Sequence, residues 1–141
     1  MYHYSKKSIY STCLFIALLL IVGYFVNTDV IYRVGIGIII LLMVRDVFRE
    51  KDASFDLLGD KLLIKSKDKV VKTVNFKDVQ YITITRKNKR WTVIANDKGI
   101  LFTVKPKIEN YEEMVSKLLN LTKSNNKIEV HDYIKKTYLN K

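Results

Sequence analysis

Between Lys7 and Asp29 the chain carries no charged side chain, and within that gap Ile9–Val26 reads IYSTCLFIALLLIVGYFV. A helix rises about 1.5 Å per residue, so this stretch covers most of a hydrocarbon layer roughly 30 Å thick. It predicts a transmembrane helix over 9–26. A cleaved signal peptide is the competing account, with Lys6 and Lys7 as its basic start. Against it, no small-x-small cleavage pattern follows, and a second apolar run begins almost at once.

That second run, Val34–Val44, has 11 uncharged residues. Alone it makes about 16 Å of helix, too short to cross. Snorkelling by Arg33 at one end and Arg45 at the other extends it to an expected second span over 30–46, the alternative being a re-entrant or interfacial helix. Lys6 and Lys7 precede the first run and Arg45, Arg49 and Lys51 follow the second, while Asn27 to Asp29 between them include no basic residue. By the bias of basic residues toward the cytoplasmic side, this predicts a multi-pass hairpin in the cell membrane with both termini cytoplasmic. Lys6, Lys7, Arg33, Arg45 and Arg49 are its expected interface anchors, Arg33 being the one charge that dissents. Gly23, Gly35 and Gly37 either permit close helix approach or are merely tolerated in lipid. Cys13 is the only cysteine, which excludes an intrachain disulfide and a four-thiolate zinc site. It reads as a small buried apolar residue.

After Lys51 the pattern changes to short β-rich runs separated by turn residues. Strands are expected at 54–58, 61–67, 70–76, 81–87, 91–96 and 100–104, with turns at Gly59-Asp60, Lys67-Asp68, Asn88-Lys89 and Asp97-Lys98-Gly99. Alternation places Leu62, Ile64, Val74, Phe76, Ile82, Ile84, Trp91, Val93, Ile100, Phe102 and Val104 on the inner face of one curved antiparallel sheet. Pro106 ends the last strand. Asn110 then reads as a helix N-cap with Glu113 in capping-box spacing, and Tyr111, Met114, Val115, Leu118 and Leu119 form one apolar stripe. The expected organisation is a tail over 1–8, two spans, a cytoplasmic domain over 53–123 and a polar tail over 124–141, in which Ile128–Val130 suggests a short strand. The fold class is α+β.

The segments GDKLLIKS, VNFKDVQYITI, KGILFTV and IENYEEMVSKL occur in that order over about residues 53–123. Together they resemble the pleckstrin-homology-like domains of small bacterial membrane proteins, which implies an antiparallel sheet or barrel capped by a C-terminal helix. The first hairpin carries only Lys61, Lys65 and Lys67 around Gly59-Asp60, so the phosphoinositide site of the lipid-binding members does not carry over. Similar two-helix proteins accompany genes for membrane-active bacteriocins, and the resemblance therefore implies immunity as one function.

Charge narrows the partners. Residues 45–141 hold 22 Lys and Arg against 13 Asp and Glu, which suits anionic lipid, nucleic acid or an acidic protein surface. Nucleic acid is set aside because the one clear amphipathic helix begins acidic and turns its apolar face to the core. The basic tip Arg86, Lys87, Lys89 and Arg90, next to Trp91, is the candidate contact for lipid head groups or a membrane protein partner; a solvated loop with Trp91 turned inward is the plainer reading. His3 and His131 lie at opposite ends, the glycines form no phosphate loop, and Glu112 and Glu113 have a helix-start explanation. No enzyme activity, metal or cofactor is expected. The predicted function is a membrane-anchored interaction module. Self-protection and an accessory subunit of a transport or secretion assembly are the alternatives.

Overall fold

The structure, a computed structural model, describes residues 1–25, 29–85, 91–123 and 125–139. It divides into a helical unit, Tyr4–Ala53, and a sheet unit made of Met1–His3 with Ser54–Lys141.

In the helical unit, α1 (Lys6–Phe25) and α2 (Val30–Asp52) pack against one another. The first intrahelical turn of α2 is closed by Asp29, whose carboxylate accepts from the Ile31 N–H at 3.0 Å. Leu20 and Gly23 of α1 line a shared groove with Arg33, Ile36, Gly37 and Ile40 of α2. The later part of α1 thus meets the earlier part of α2, which makes the pair antiparallel. Gly23 earns its place: a Cβ there would sit 3.2 Å from Ile36 Cγ2, whereas one on Gly35 or Gly37 would meet nothing within 4 Å.

The expected multi-pass arrangement is corrected. Among the described residues, one helix is long and apolar enough to cross a membrane, through Lys6–Gly23. In α2, any stretch of 18 residues includes Arg45 and Asp46 together with Arg33 or further charges toward Asp52. Snorkelling can relocate one terminal charge, but it does not remove a cluster that continues for another two turns. With the second crossing, the assignment of both termini to the cytoplasm falls as well. Cys13, expected to be buried, is exposed on α1, because α2 covers only one side of that helix.

The sheet unit contains two four-stranded sheets, and among the described residues they form no closed barrel. The first has the order β1 (Tyr2–His3), β2 (Ala53–Leu58), β3 (Lys61–Ser66), β4 (Lys69–Asn75). The second runs β7 (Gly99–Val104), β6 (Thr92–Asn96), β5 (Tyr81–Ile84), β8 (Glu129–Val130), with β8 parallel to β5. Six strands thus appear where local periodicity places them, β8 falls within the short strand expected at Ile128–Val130, and β1 comes from a segment read as a tail. Lys67 and Asp68 turn the chain between β3 and β4 with φ of 49° and 64°, the two left-handed positions that a tight two-residue hairpin needs. Gly99, at φ 130°, occupies a conformation that side chains rarely adopt.

Phe55 of the first sheet and Phe102 of the second meet with ring centroids 5.4 Å apart. Leu62, Val74, Phe76, Ile82, Val93 and Val104 are buried as alternation predicts, but Ile64, Ile84, Trp91 and Phe102 are half-buried and Ile100 is exposed. In β6 alternation fails altogether: Thr92, Val93 and Ile94 are all buried. This strand has neighbours on both edges and α3 (Tyr111–Thr122) supplies a bond from above, the Tyr111 hydroxyl lying 2.8 Å from Thr92 Oγ1. Burial on both faces erases a two-residue period. The α3 stripe Met114, Val115, Leu118 and Leu119 is buried throughout. Each such side chain stabilises by about 1.5–3 kcal/mol relative to exposure. A short helical turn, α4 (Asp132–Ile134), adds the fully buried Ile134.

Asn110 does not cap α3 through its side chain. It adopts φ 54° and ψ 39°, makes no side-chain cap hydrogen bond, and contributes its carbonyl to Met114 N–H at 2.9 Å. Asparagine tolerates this left-handed geometry, but the backbone then no longer has the extended form a capping box uses.

Candidate interaction surfaces

The basic tip Arg86, Lys87, Lys89 and Arg90 lies outside the described residues. Its flanks are paired: the Thr85 N–H donates to Trp91 O at 3.2 Å, and β5 and β6 are antiparallel neighbours with Ile84 opposite Thr92. Trp91 is half-buried rather than fully inserted, and the Lys105 ammonium lies 5.6 Å from its ring centroid, within cation–π range.

The five expected interface anchors are exposed, and four of them fall at helix ends. Lys6 and Lys7 open α1, Arg33 is in the first turn and a half of α2, and Arg49 is in its last turn. Arg45 pairs with its neighbour Asp46 at 3.2 Å, an exposed contact worth about 0–1 kcal/mol. Because the two helices are antiparallel, Lys6, Lys7 and Arg49 fall toward one end of the helical unit and Arg33 toward the other.

The two histidines lie in different elements. His3 lies in β1, and His131 Nδ1 accepts from the Tyr133 N–H at 3.2 Å, where it starts α4. Among the described residues, no three His, Cys, Asp or Glu side chains group as metal ligands. The buried polar side chains serve the fold: Thr92 bonds Tyr111, and Thr122 donates back to Leu118 O and Leu119 O near the end of α3.

Two surfaces were not anticipated. One is an open cleft of about 410 Å³ where Gly59, Asp60, Phe76, Lys77, Asn125 and Lys127 surround the β2–β3 turn. The other is the exposed margin of β4. Every residue from Lys69 to Thr73 is exposed, with Val70 at 53% and Val71 at 67%. Val71 is the unopposed residue of a bulge, because Ile64 pairs with Lys72 and Lys65 with Val70. In β7, Leu101 is unopposed in the same way, between Ile94–Phe102 and Ala95–Ile100 pairs. The Lys72 ammonium donates to Leu101 O at 2.6 Å, so a side chain links the two bulged strands. The consecutive valines at 70 and 71 were a visible signal, but their pairing partner and the bulge were not.

The N-terminus forms a clasp that sequence reasoning also missed. Tyr2 pairs with Phe55 and His3 with Ser54, while the Glu109 N–H donates to His3 O at 2.7 Å. The Tyr2 hydroxyl donates to Glu113 Oε1 at 3.0 Å, and burial, followed by the bond to Glu113, pushes the phenol up to about 12. Alongside, Lys65 donates to Asp56, and the Met1 ammonium lies 3.6 Å from the same carboxylate. The Lys65 bond is the main cause holding the Asp56 carboxyl below its usual range, against a smaller opposing effect of burial.

No family model, curated protein or solved structure matches this chain.

Proposed function

We propose that this protein is a non-enzymatic interaction module that α1 anchors to a membrane, with the sheet unit as its recognition domain. The observation that carries the reading is the exposure of the helical unit's apolar side chains. Leu14 is 66% exposed, Leu18 51%, Ile31 80% and Leu41 70%. Soluble monomers rarely expose contiguous apolar patches beyond a few hundred Å², so a surface of this kind favours lipid over water. Only 6% of Lys6–Gly23 is buried, unlike the core helix of a soluble fold.

Retention of α1, as opposed to removal with a signal sequence, is supported by β1. This strand precedes α1 and contributes the buried Tyr2 to the sheet unit, so cleavage after α1 would strip the fold of a core side chain. Two sheets followed by one packed amphipathic helix also support a pleckstrin-homology-like reading of the domain. In that reading the side chains serve recognition, and chemistry is left to partners.

Alkaline carbonate extraction of cells expressing the full chain tests the anchor. The protein is expected in the membrane pellet at an intact mass that includes residues 1–25, and Leu14→Arg with Leu18→Arg is expected to release it. Recovery of the unaltered chain in the carbonate supernatant, or only as a product lacking α1, overturns the proposal.

A further inference from the structure

We propose that the seam between β4 and β7 docks an extended acidic segment of a partner protein, which adds to the open margin of β4 as a further strand. The inference rests on the interaction-module reading and names the partner's chemistry.

β4 and β7 are each the outermost strand of their sheet among the described residues. An outermost strand offers a row of main-chain donors and acceptors to an incoming strand. The bulges at Val71 and Leu101 bend and twist their strands locally. What joins β4 to β7 at this level is the Lys72 side chain on Leu101 O. Val71 and Ile100, both 67% exposed, each lie one residue from that link. The margin therefore combines the outer edge of a strand, exposed apolar side chains and a cation held by a neutral carbonyl.

Charge selects the occupant. Lys67, Lys69, Lys72 and Lys77 surround this strand in sequence, with Asp68 the one acidic residue between them, while Lys65 is already paired with Asp56. A second copy of the chain would bring the same lysines against these, and like charges directly opposite disfavour strand pairing. An acidic strand reverses the sign. Its carboxylate gives the Lys72 ammonium a charged acceptor in place of Leu101 O, and charge-assisted bonds are roughly twice as strong as neutral ones. Its apolar side chains then cover Val71 and Ile100.

The test uses the full chain in neutral detergent micelles and a fluorescent seven-residue peptide that alternates glutamate with valine. Anisotropy is expected to show saturable binding, weakened at least tenfold by Lys72→Glu and unchanged by Lys127→Glu, a substitution at the cleft beside the β2–β3 turn. Circular dichroism checks that both variants keep the fold. A peptide with lysine in place of glutamate, and one with proline at alternate positions, are expected not to bind; main-chain amides of 69–73 are expected to gain exchange protection only with the acidic peptide. Equal binding of the proline peptide overturns strand addition, and equal loss with Lys127→Glu overturns a site at the seam. The proposal also falls if Lys72→Glu instead abolishes binding to phosphatidylglycerol vesicles or self-association while the acidic peptide never binds. Carbonate extraction is indifferent to Lys72, so failure of the anchor and failure of the seam are separately visible.

Discussion

Tyr2 and Glu113, separated by 111 positions, are joined by a hydrogen bond of 3.0 Å from the phenol to Oε1. The bond ties the strand that precedes α1 to the first turn of α3, and it gives Glu113 a partner other than the Asn110 backbone. Tyr2→Phe keeps the buried ring and removes the hydroxyl, so the domain is expected to lose about 1 kcal/mol. Tyr2→Ala also leaves a cavity and is expected to cost about 3 kcal/mol or more. Thermal unfolding followed by near-ultraviolet dichroism, with the full chain in detergent, measures both.

The same pair predicts an alkaline transition. The Tyr2 phenol titrates near 12 in the fold against 10.0 ordinarily, so between these values the folded state holds the proton that the unfolded state has lost. Stability from this group is complete below pH 10 and falls as pH rises toward 12. Tyr138, also pushed to about 12 by burial and then by Tyr111, acts in the same direction. Unfolding midpoints are expected to decline across pH 10–12, with a shallower decline in Tyr2→Phe; identical slopes would remove Tyr2 as a contributor.

Asp56 has the opposite sign. Lys65 holds its carboxyl below the usual range, so its contribution is present above the ordinary carboxylate pKa and disappears as pH falls through the lowered one. Asp56→Asn is expected to destabilise at pH 7 and to converge on the parent at the acid end. Denaturant midpoints from pH 7 down to pH 2 check the convergence.

At the β3–β4 turn, both Lys67 and Asp68 have positive φ, a geometry that Asn-Gly adopts with less strain. The double change Lys67→Asn with Asp68→Gly is expected to stabilise the domain by about 1 kcal/mol, read as a higher denaturant midpoint with unchanged slope.

Within the helical unit, Gly23→Val is expected to separate α1 from α2, since even a Cβ would approach Ile36 Cγ2 to 3.2 Å. Gly37→Ala meets no atom within 4 Å and is expected to be neutral or to stabilise by up to about 1 kcal/mol through helix propensity. Thermal stability in micelles ranks the two.

Sequence alone determined the elements whose causes lie within a few residues. The uncharged run through α1, the hairpin turns at 59–60 and 67–68, and the Met114–Leu119 stripe are local patterns, and they appear where those patterns place them. The charges that limit α2, from Arg45 and Asp46 on to Asp52, are equally local. Tertiary structure decided the rest. It divided the strands between two sheets, drew β1 out of an apparent tail, paired β8 parallel to β5, buried three consecutive residues of β6, and moved Glu113 from a helix cap to Tyr2. It also brought Lys72 to Leu101 between two bulged strands. Period and turn chemistry act along the chain and are written in neighbouring residues. The choice of a partner tens of positions away depends on which surfaces collapse together, and no local pattern encodes that.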